Sequence, residues 1–454
     1  MLETLSRLQF ALTIGFHYLF VPASIGLILY VAIFETANFF TRKPEYKSLS
    51  NFWSDIFLVV YVVGIATGLT MPIQFGTNWS RYSVFMGDVF GSPLAFEALM
   101  AFFIESTFAG IWIFKRDKIG RGLRLATVWL ITAGTVVSAV WILAANAFMQ
   151  HPVGYELAAD KSKVALTSFR ELLANPYLSW MFVHNQAAAL LVGSFIVLGI
   201  SALSMKRKGA TDFFKKSASV ALIIGLVSAV SLPAVGDLYG KYVASVQPLK
   251  ASLILGRLSS DGKGALAPAD AASSASLQPD MASLPELPNA TLVRSAFIVM
   301  VSLGSAFVLV MLVFAIRRRL LWESRFFQGL AVWLMPLGYA AVMSGWIVAE
   351  AGRFPWIVYG LMSVRDAISN VPVASVVFSL CLMVLLYALL FAVALKLVAN
   401  VVRKGPENGT EEAQHDHLLL GHQVLHRALR AAHGGGELRL HQFLSRPSRS
   451  PRHR

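Results

Sequence analysis

Nine stretches of this chain each carry about 20 or more mostly apolar residues, and that repetition limits the possible folds more than any other feature. A hydrocarbon core ~30 Å thick takes about 20 residues of helix to cross. Inside it, every backbone N–H and C=O must find its partner within the segment, which favours helices. The spans read roughly as 8–38, 53–75, 93–114, 125–149, 178–204, 217–236, 293–316, 326–350 and 373–400. With 56% hydrophobic and 14% charged residues and a mean hydropathy of +0.62, 454 residues do not make a soluble core. The expectation is an all-α polytopic membrane protein with about nine transmembrane helices.

Charge sets an orientation. The formal net charge is +14, and the cations fall in short loops. Arg42, Lys43 and Lys47 follow the first span. Lys115, Arg116, Lys118, Arg121 and Arg124 follow the third, and Lys206, Arg207, Lys208, Lys215 and Lys216 the fifth. Arg317, Arg318, Arg319 and Arg325 follow the seventh. Cations in alternate loops are topology signals, so these loops are expected in the cytoplasm, with the N-terminus outside and the C-terminus cytoplasmic. The charge then points to the lipid bilayer as partner and to no nucleic acid. No basic region or small-residue cleavage site precedes the first apolar stretch, which reads as a retained helix. Cys381 is the only cysteine, so the chain has no disulfide, no iron–sulfur cluster and no C-x-x-C-H for covalent haem.

Four regions follow. Residues 1–236 hold spans one to six, and 237–291 form an external loop. Residues 292–401 hold spans seven to nine, and 402–454 a cytoplasmic tail. The second half of the loop, RLSSDGKGALAPADAASSASLQPDMASLPELPNAT, is rich in Ala, Ser and Pro and reads as poorly ordered. The tail is rich in His and Arg, with GGG at 434–436, and reads as a flexible solvated segment rather than a metal site. No inverted repeat of the transporter kind is visible.

The polar residues inside the spans carry the chemistry. His17 and His184 lie in strongly apolar tracts, and only His151 joins them before residue 415. An intramembrane imidazole is costly. It serves either as a metal or haem ligand or as a hydrogen-bonding group between helices. His184, Met300 and Glu350 fall near the outer ends of spans five, seven and eight, and His17 lies about three turns into span one. A His and a Met at equal depth suit the two axial positions of a low-spin haem, although a Met in a span is usually packing. In span three, Glu97 and Glu105 are eight residues apart, ~12 Å along one helix. Two carboxyls in one span suggest a proton route, with interhelical bonding as the alternative. Ser138 and Asn146 on span four would extend that route.

The stretches SRLQFALTIGFHYLF, QFGTNWSRYSVFMGDVFGSPLAFEALMAFFIESTFAG, SAVWILAANAFMQHPVG, FVHNQ and EAGRFPW cover most of residues 1–400 in order. In them the chain resembles subunit I of cytochrome bd oxidase, the bacterial terminal oxidase. The resemblance implies His184 and Met300 as axial ligands of a low-spin haem b. It implies His17 and Glu350 as ligands of two high-spin haems, b and d, with the assignment between them open. The cofactors would be two haems b, one low-spin and one high-spin, and one haem d or a third haem b in its place. Glu97 and Glu105 match proton-delivery glutamates, and Trp346 and Arg353 match residues packed against the haems. Implied partners are subunit II, in some members a small single-span subunit, a quinol and dioxygen, in the bacterial cytoplasmic (inner) membrane. The implied activity takes electrons from quinol at the outer face and protons from the cytoplasm, reducing O2 to water and building membrane potential without a pump.

Departures gather at the electron-entry end. The family's Lys stands as Lys250 in KASLIL, but Leu255 occupies the place of its Glu five residues on. Ile298 stands where an Arg precedes the methionine, and Phe354 replaces the Gln of G-R-Q-P-W. A quinol needs a base to lose its protons; Asp237, Tyr239 or Lys241 are the substitutes at hand. The rival readings are a bd-type oxidase fed by a non-quinol donor and a haem-free transporter.

Overall fold

The computed structural model describes residues 1–209, 211–257 and 288–406. Among these, nine helical stretches are long and apolar enough to cross a membrane. Helix α1 (Leu2–Tyr18) is followed by α2 (Val21–Thr41), α3 (Pro44–Gly68), α4 (Thr70–Thr77), α5 (Ser80–Phe85) and α6 (Gly87–Phe96). A π-helical turn over Glu97–Phe102 leads into α7 (Phe103–Lys115) and α8 (Arg121–Gln150). The hairpin β1 (Tyr155–Leu157) and β2 (Val164–Leu166) precedes α9 (Phe169–Leu173), α10 (Pro176–Lys208), α11 (Asp212–Val246) and α12 (Pro248–Ile254). Then come α13 (Ala290–Ile316), α14 (Arg318–Glu323) and α15 (Arg325–Ala351). A second hairpin, β3 (Trp356–Val358) with β4 (Met362–Ser363), precedes α16 (Val364–Ala367) and α17 (Val373–Lys404).

The all-α expectation holds, with differences at the element ends. The first span is two helices, broken at Leu19 and Phe20, because Pro22 has no N–H and its ring crowds the carbonyl four residues back. Pro72 breaks the second span in the same way at Leu69. Span six does not stop at residue 236. It runs to Val246, so Asp237, Tyr239 and Lys241 are helical residues, and Lys241 pairs with Asp237 one turn earlier at 2.6 Å. Residues 402–404 continue α17. Residues 258–287 of the loop and the tail beyond residue 406 lie outside the described residues, and the expected loop end at 291 is shortened because α13 begins at Ala290.

Helix α10 is the central strut, packing on α2, α8, α11 and α15. Its start is set by Pro176 at the first helical position and by Asn175, whose side chain accepts from the Tyr177 N–H at 3.0 Å. It approaches α2 backbone to backbone: a Cβ on Gly193 would sit 2.6 Å from Gly26 Cα. The loops after alternate spans meet at opposite ends. At one end Lys47 reaches Asp117 (3.3 Å) and Lys216 bonds Glu45. Arg124 there forms a fork on buried Glu35, Nε–Oε1 2.9 Å and Nη2–Oε2 2.8 Å. At the other end the Tyr359 N–H donates to the Met149 carbonyl, the Ser369 N–H to Asn78, and the Gln247 amide to the Gln150 carbonyl. That second end is closed by a cluster including Trp79, Tyr82, Phe85, Phe148 and Val358.

Candidate functional site

Glu350, near the end of α15, anchors a dense polar group at the capped end. Its Oε1 accepts from Asn146 Nδ2 (3.0 Å) and Gln150 Nε2 (3.4 Å), and its Oε2 from Arg353 Nη2 (2.6 Å). Gln150 Oε1 in turn accepts from Lys250 Nζ (2.8 Å) and Gln247 Nε2 (3.1 Å). Lys250 also donates to the Ala349 carbonyl at 3.0 Å, and its stem lies over Gly352, where a Cβ would crowd it. Lys250, expected in the external loop, is only 2% exposed. Burial, with the Arg353 charge adding to it, pushes its amine down to about 7, against the pull of Glu350. Asn146 therefore serves Glu350, while Ser138, eight residues earlier on α8, serves Glu97.

The two span-three glutamates are drawn together by α8. Ser138 donates to Glu97 Oε1 at 2.9 Å and Thr135 to Glu105 Oε1 at 2.6 Å. These hydroxyls are three residues apart, ~4.5 Å of helix rise, so the carboxyls converge more closely than their eight-residue spacing suggests. The π-helical turn beginning at Glu97 inserts extra chain between them.

His17 ends a polar column that was not anticipated. Gln9, Thr13 and His17 recur every fourth residue on α1, Thr70 and Gln74 on α4 with Asn78 just past its end, and Ser379, Met383 and Tyr387 on α17. They meet in layers. Asn78 Nδ2 donates to Gln9 Oε1 (2.8 Å) and Gln9 Nε2 to Ser379 (3.1 Å). Thr13 contacts Gln74 and Met383 Sδ, and Thr70 bonds Tyr387 at 2.5 Å. At the top, His17 Nδ1 lies 3.1 Å from Thr67 Oγ1.

Three candidate ligands face a glycine on a neighbouring helix. A Cβ would lie 3.0 Å from His17 Cε1 at Gly68, 3.4 Å from His184 Cε1 at Gly236, and 2.9 Å from Met300 Sδ at Gly345, beside half-buried Trp346. Tyr239 flanks His184, ring centroids 5.9 Å apart. Several buried nitrogens have no hydrogen-bond partner among the described residues: His184 Nδ1, Trp141 Nε1, and Arg353 Nε and Nη1. Unspent guanidinium donors suit carboxylates, and imidazole, thioether and carboxylate are iron-ligating groups. The residues present therefore fit haem. Sequence reading missed Gln150, Thr135, Thr67 and the column; the four-residue recurrence of polar side chains within apolar spans was the available signal.

Nine helical spans among the described residues enclose these groups, which makes the chain a polytopic membrane protein with a polar interior site. The family of cytochrome bd terminal oxidase subunit I matches residues 5–269 and 272–406. Cytochrome bd ubiquinol oxidase subunit 1 of Bacillus subtilis is 34% identical over 442 residues, covering 89% of this chain and 94% of the relative. Cytochrome bd-II ubiquinol oxidase subunit 1 of Escherichia coli is 30% identical over 495 residues, covering 88% and 96%. The solved bd oxidase of Geobacillus thermodenitrificans superposes with a TM-score of 0.79 at 25% identity, covering 89% of this chain and 99% of that one. The chain belongs to the cytochrome bd terminal oxidase subunit I family. It is a multi-pass membrane subunit of a respiratory terminal oxidase, in a family whose cofactor is haem and whose subunit I pairs with subunit II.

Proposed function

We propose that this subunit oxidises quinol at its capped, outer end and reduces dioxygen to water with protons drawn from the basic, cytoplasmic end. The chain then runs from an outer N-terminus to a cytoplasmic C-terminus in the bacterial inner membrane, beside subunit II and, in some assemblies, a small single-span subunit. His184 and Met300 would hold the low-spin haem b, and His17 and Glu350 would hold the high-spin haems b and d, or a third b in place of d. Haem, when bound, would supply the electron relay and the oxygen-reducing site. Arg353 offers its unpaired nitrogens to haem carboxylates, and Trp346 packs beside them. Asn146 and Gln150 orient Glu350. Glu105 with Thr135 and Glu97 with Ser138 hold protons on their way from the cytoplasm. Lys250 stands ready at the outer end as an amine able to take a proton near neutral pH. Electrons from outside and protons from inside move charge without a pump, each charge worth ~2.3 kcal/mol per 100 mV.

The observation that carries this reading is the seating of His17, His184 and Met300 against Gly68, Gly236 and Gly345, with Arg353 keeping nitrogens unpartnered among the described residues beside Glu350. A second donor reading rests on Leu255, which is 56% exposed where the family has a Glu, and on exposed Ile298 in place of an Arg. Oxygen consumption by the purified complex separates them. Fast turnover with ubiquinol or menaquinol analogues supports the quinol donor. Turnover only with an artificial one-electron donor transfers the assignment to another reductant.

A further inference from the structure

The hydrogen bonds around His17 fix which ring nitrogen carries its proton. Thr67 is fully buried, and its hydroxyl has one hydrogen. Behind it on α3 lie the carbonyls of Val63 (2.9 Å) and Gly64 (3.0 Å), both acceptors, and the single hydrogen is spent on them. Toward His17 Nδ1, 3.1 Å away, the same oxygen has only lone pairs to offer. The Gly64 carbonyl is a second acceptor for the ring. With the Thr67 oxygen able only to accept at Nδ1, Nδ1 is the protonated nitrogen and Nε2 carries the free lone pair; tautomers are assigned from such networks. Gly68 sets the ring's depth, since a Cβ there would stand 3.0 Å from Cε1. Both residues lie where α3 ends at Leu69, opposite the end of α1 at Tyr18, so the two helix breaks bring the hydroxyl and the imidazole together. His184 differs: its Nδ1 is buried without a partner among the described residues.

We infer that Thr67 is a positioning residue which accepts the His17 Nδ1–H and so presents Nε2 to the high-spin haem iron. The inference rests on the reading of His17 as an iron ligand. Outer-shell partners of ligating histidines fix tautomer and orientation, and their loss typically costs about 10–100-fold in affinity.

The test uses the whole purified complex with Thr67→Val, which keeps the shape and removes the acceptor, and Thr67→Ser, which keeps the acceptor. The readouts are the iron–histidine stretching frequency by resonance Raman and the rate at which haem is lost to apomyoglobin. Thr67→Val is expected to lower the frequency and speed loss of one high-spin haem about 10–100-fold, with Thr67→Ser restoring both. In the wild type, exchange into D2O is expected to shift the same mode, because Nδ1 carries the hydrogen. An unchanged frequency and loss rate in Thr67→Val, or no D2O shift in the wild type, would overturn the inference. His17→Ala separates the two claims. If it retains its full haem complement, the ligand reading itself fails. If it loses one haem while Thr67→Val changes nothing, only the positioning role fails.

Discussion

Lys250→Met is predicted to raise stability in acid and lower it in alkali. The wild-type amine titrates at about 7 when folded and at 10.5 unfolded. At ~1.36 kcal/mol per pH unit, its protonated form is about 5 kcal/mol less favourable in the fold than in the unfolded chain. Above pH 10.5 the amine is neutral in both states and this penalty is absent. As pH falls from there, the unfolded chain binds a proton that the folded protein does not, and wild-type stability declines. Below about 7 the full penalty applies. The substitution also removes the bonds to Gln150 and Ala349, 2.8 and 3.0 Å long, worth about 2 kcal/mol together. The variant should therefore be about 3 kcal/mol more stable at pH 6, less stable above pH 10, and equal near pH 9. Thermal unfolding of the solubilised complex, followed by tryptophan fluorescence from pH 6 to 10, reads this as a crossing of two curves. A variant less stable by the same amount at every pH would refute the reasoning, because the amine would then keep its ordinary titration in the fold.

Three further outcomes follow from particular contacts. Gly193→Val places a Cβ against Gly26 Cα, backbone on backbone, so α2 and α10 must separate; a drop in thermal midpoint equivalent to about 1–3 kcal/mol is expected. Arg124→Leu leaves Glu35 buried and uncompensated, at a cost of about 3–5 kcal/mol, and adding Glu35→Leu should recover most of it in denaturation assays. Thr135→Val removes the hydroxyl donated to Glu105; oxygen turnover should fall ~10-fold, the effect of about 1.4 kcal/mol, with haem spectra unchanged and Thr135→Ser restoring activity.

Much of this architecture is written in single-chain patterns. Long apolar runs mark the nine spans because a bilayer demands both length and hydrophobicity. The alternating cation clusters foreshadow the meeting of loops that places Lys47 beside Asp117 and Lys216 beside Glu45. The breaks after Tyr18 and Gly68 were signalled by Pro22 and Pro72, but hydropathy averages over a proline. Helix α11 outran its expected end because Asp237 and Lys241 look like loop residues, yet on a helix they pair. The site was less legible where partners lie far apart in the chain. Asn146 meets Glu350 across 204 residues, and nothing local to Asn146 distinguishes that partner from Glu97. Nothing around Lys250 in the sequence signals burial, since lysines are mostly exposed; its burial follows from how α12 folds back on Gly352 and Gln150, a tertiary fact. Thr67 is one threonine among many until His17 is placed beside it.

The central claim is that His184 and Met300, from different helices, hold one haem between them. The most direct measurement is the reduced-minus-oxidised spectrum and haem count of purified His184→Ala and Met300→Leu complexes. Both variants are predicted to lose the low-spin haem b band while keeping the high-spin bands. A low-spin band retained at full intensity in both would contradict the account.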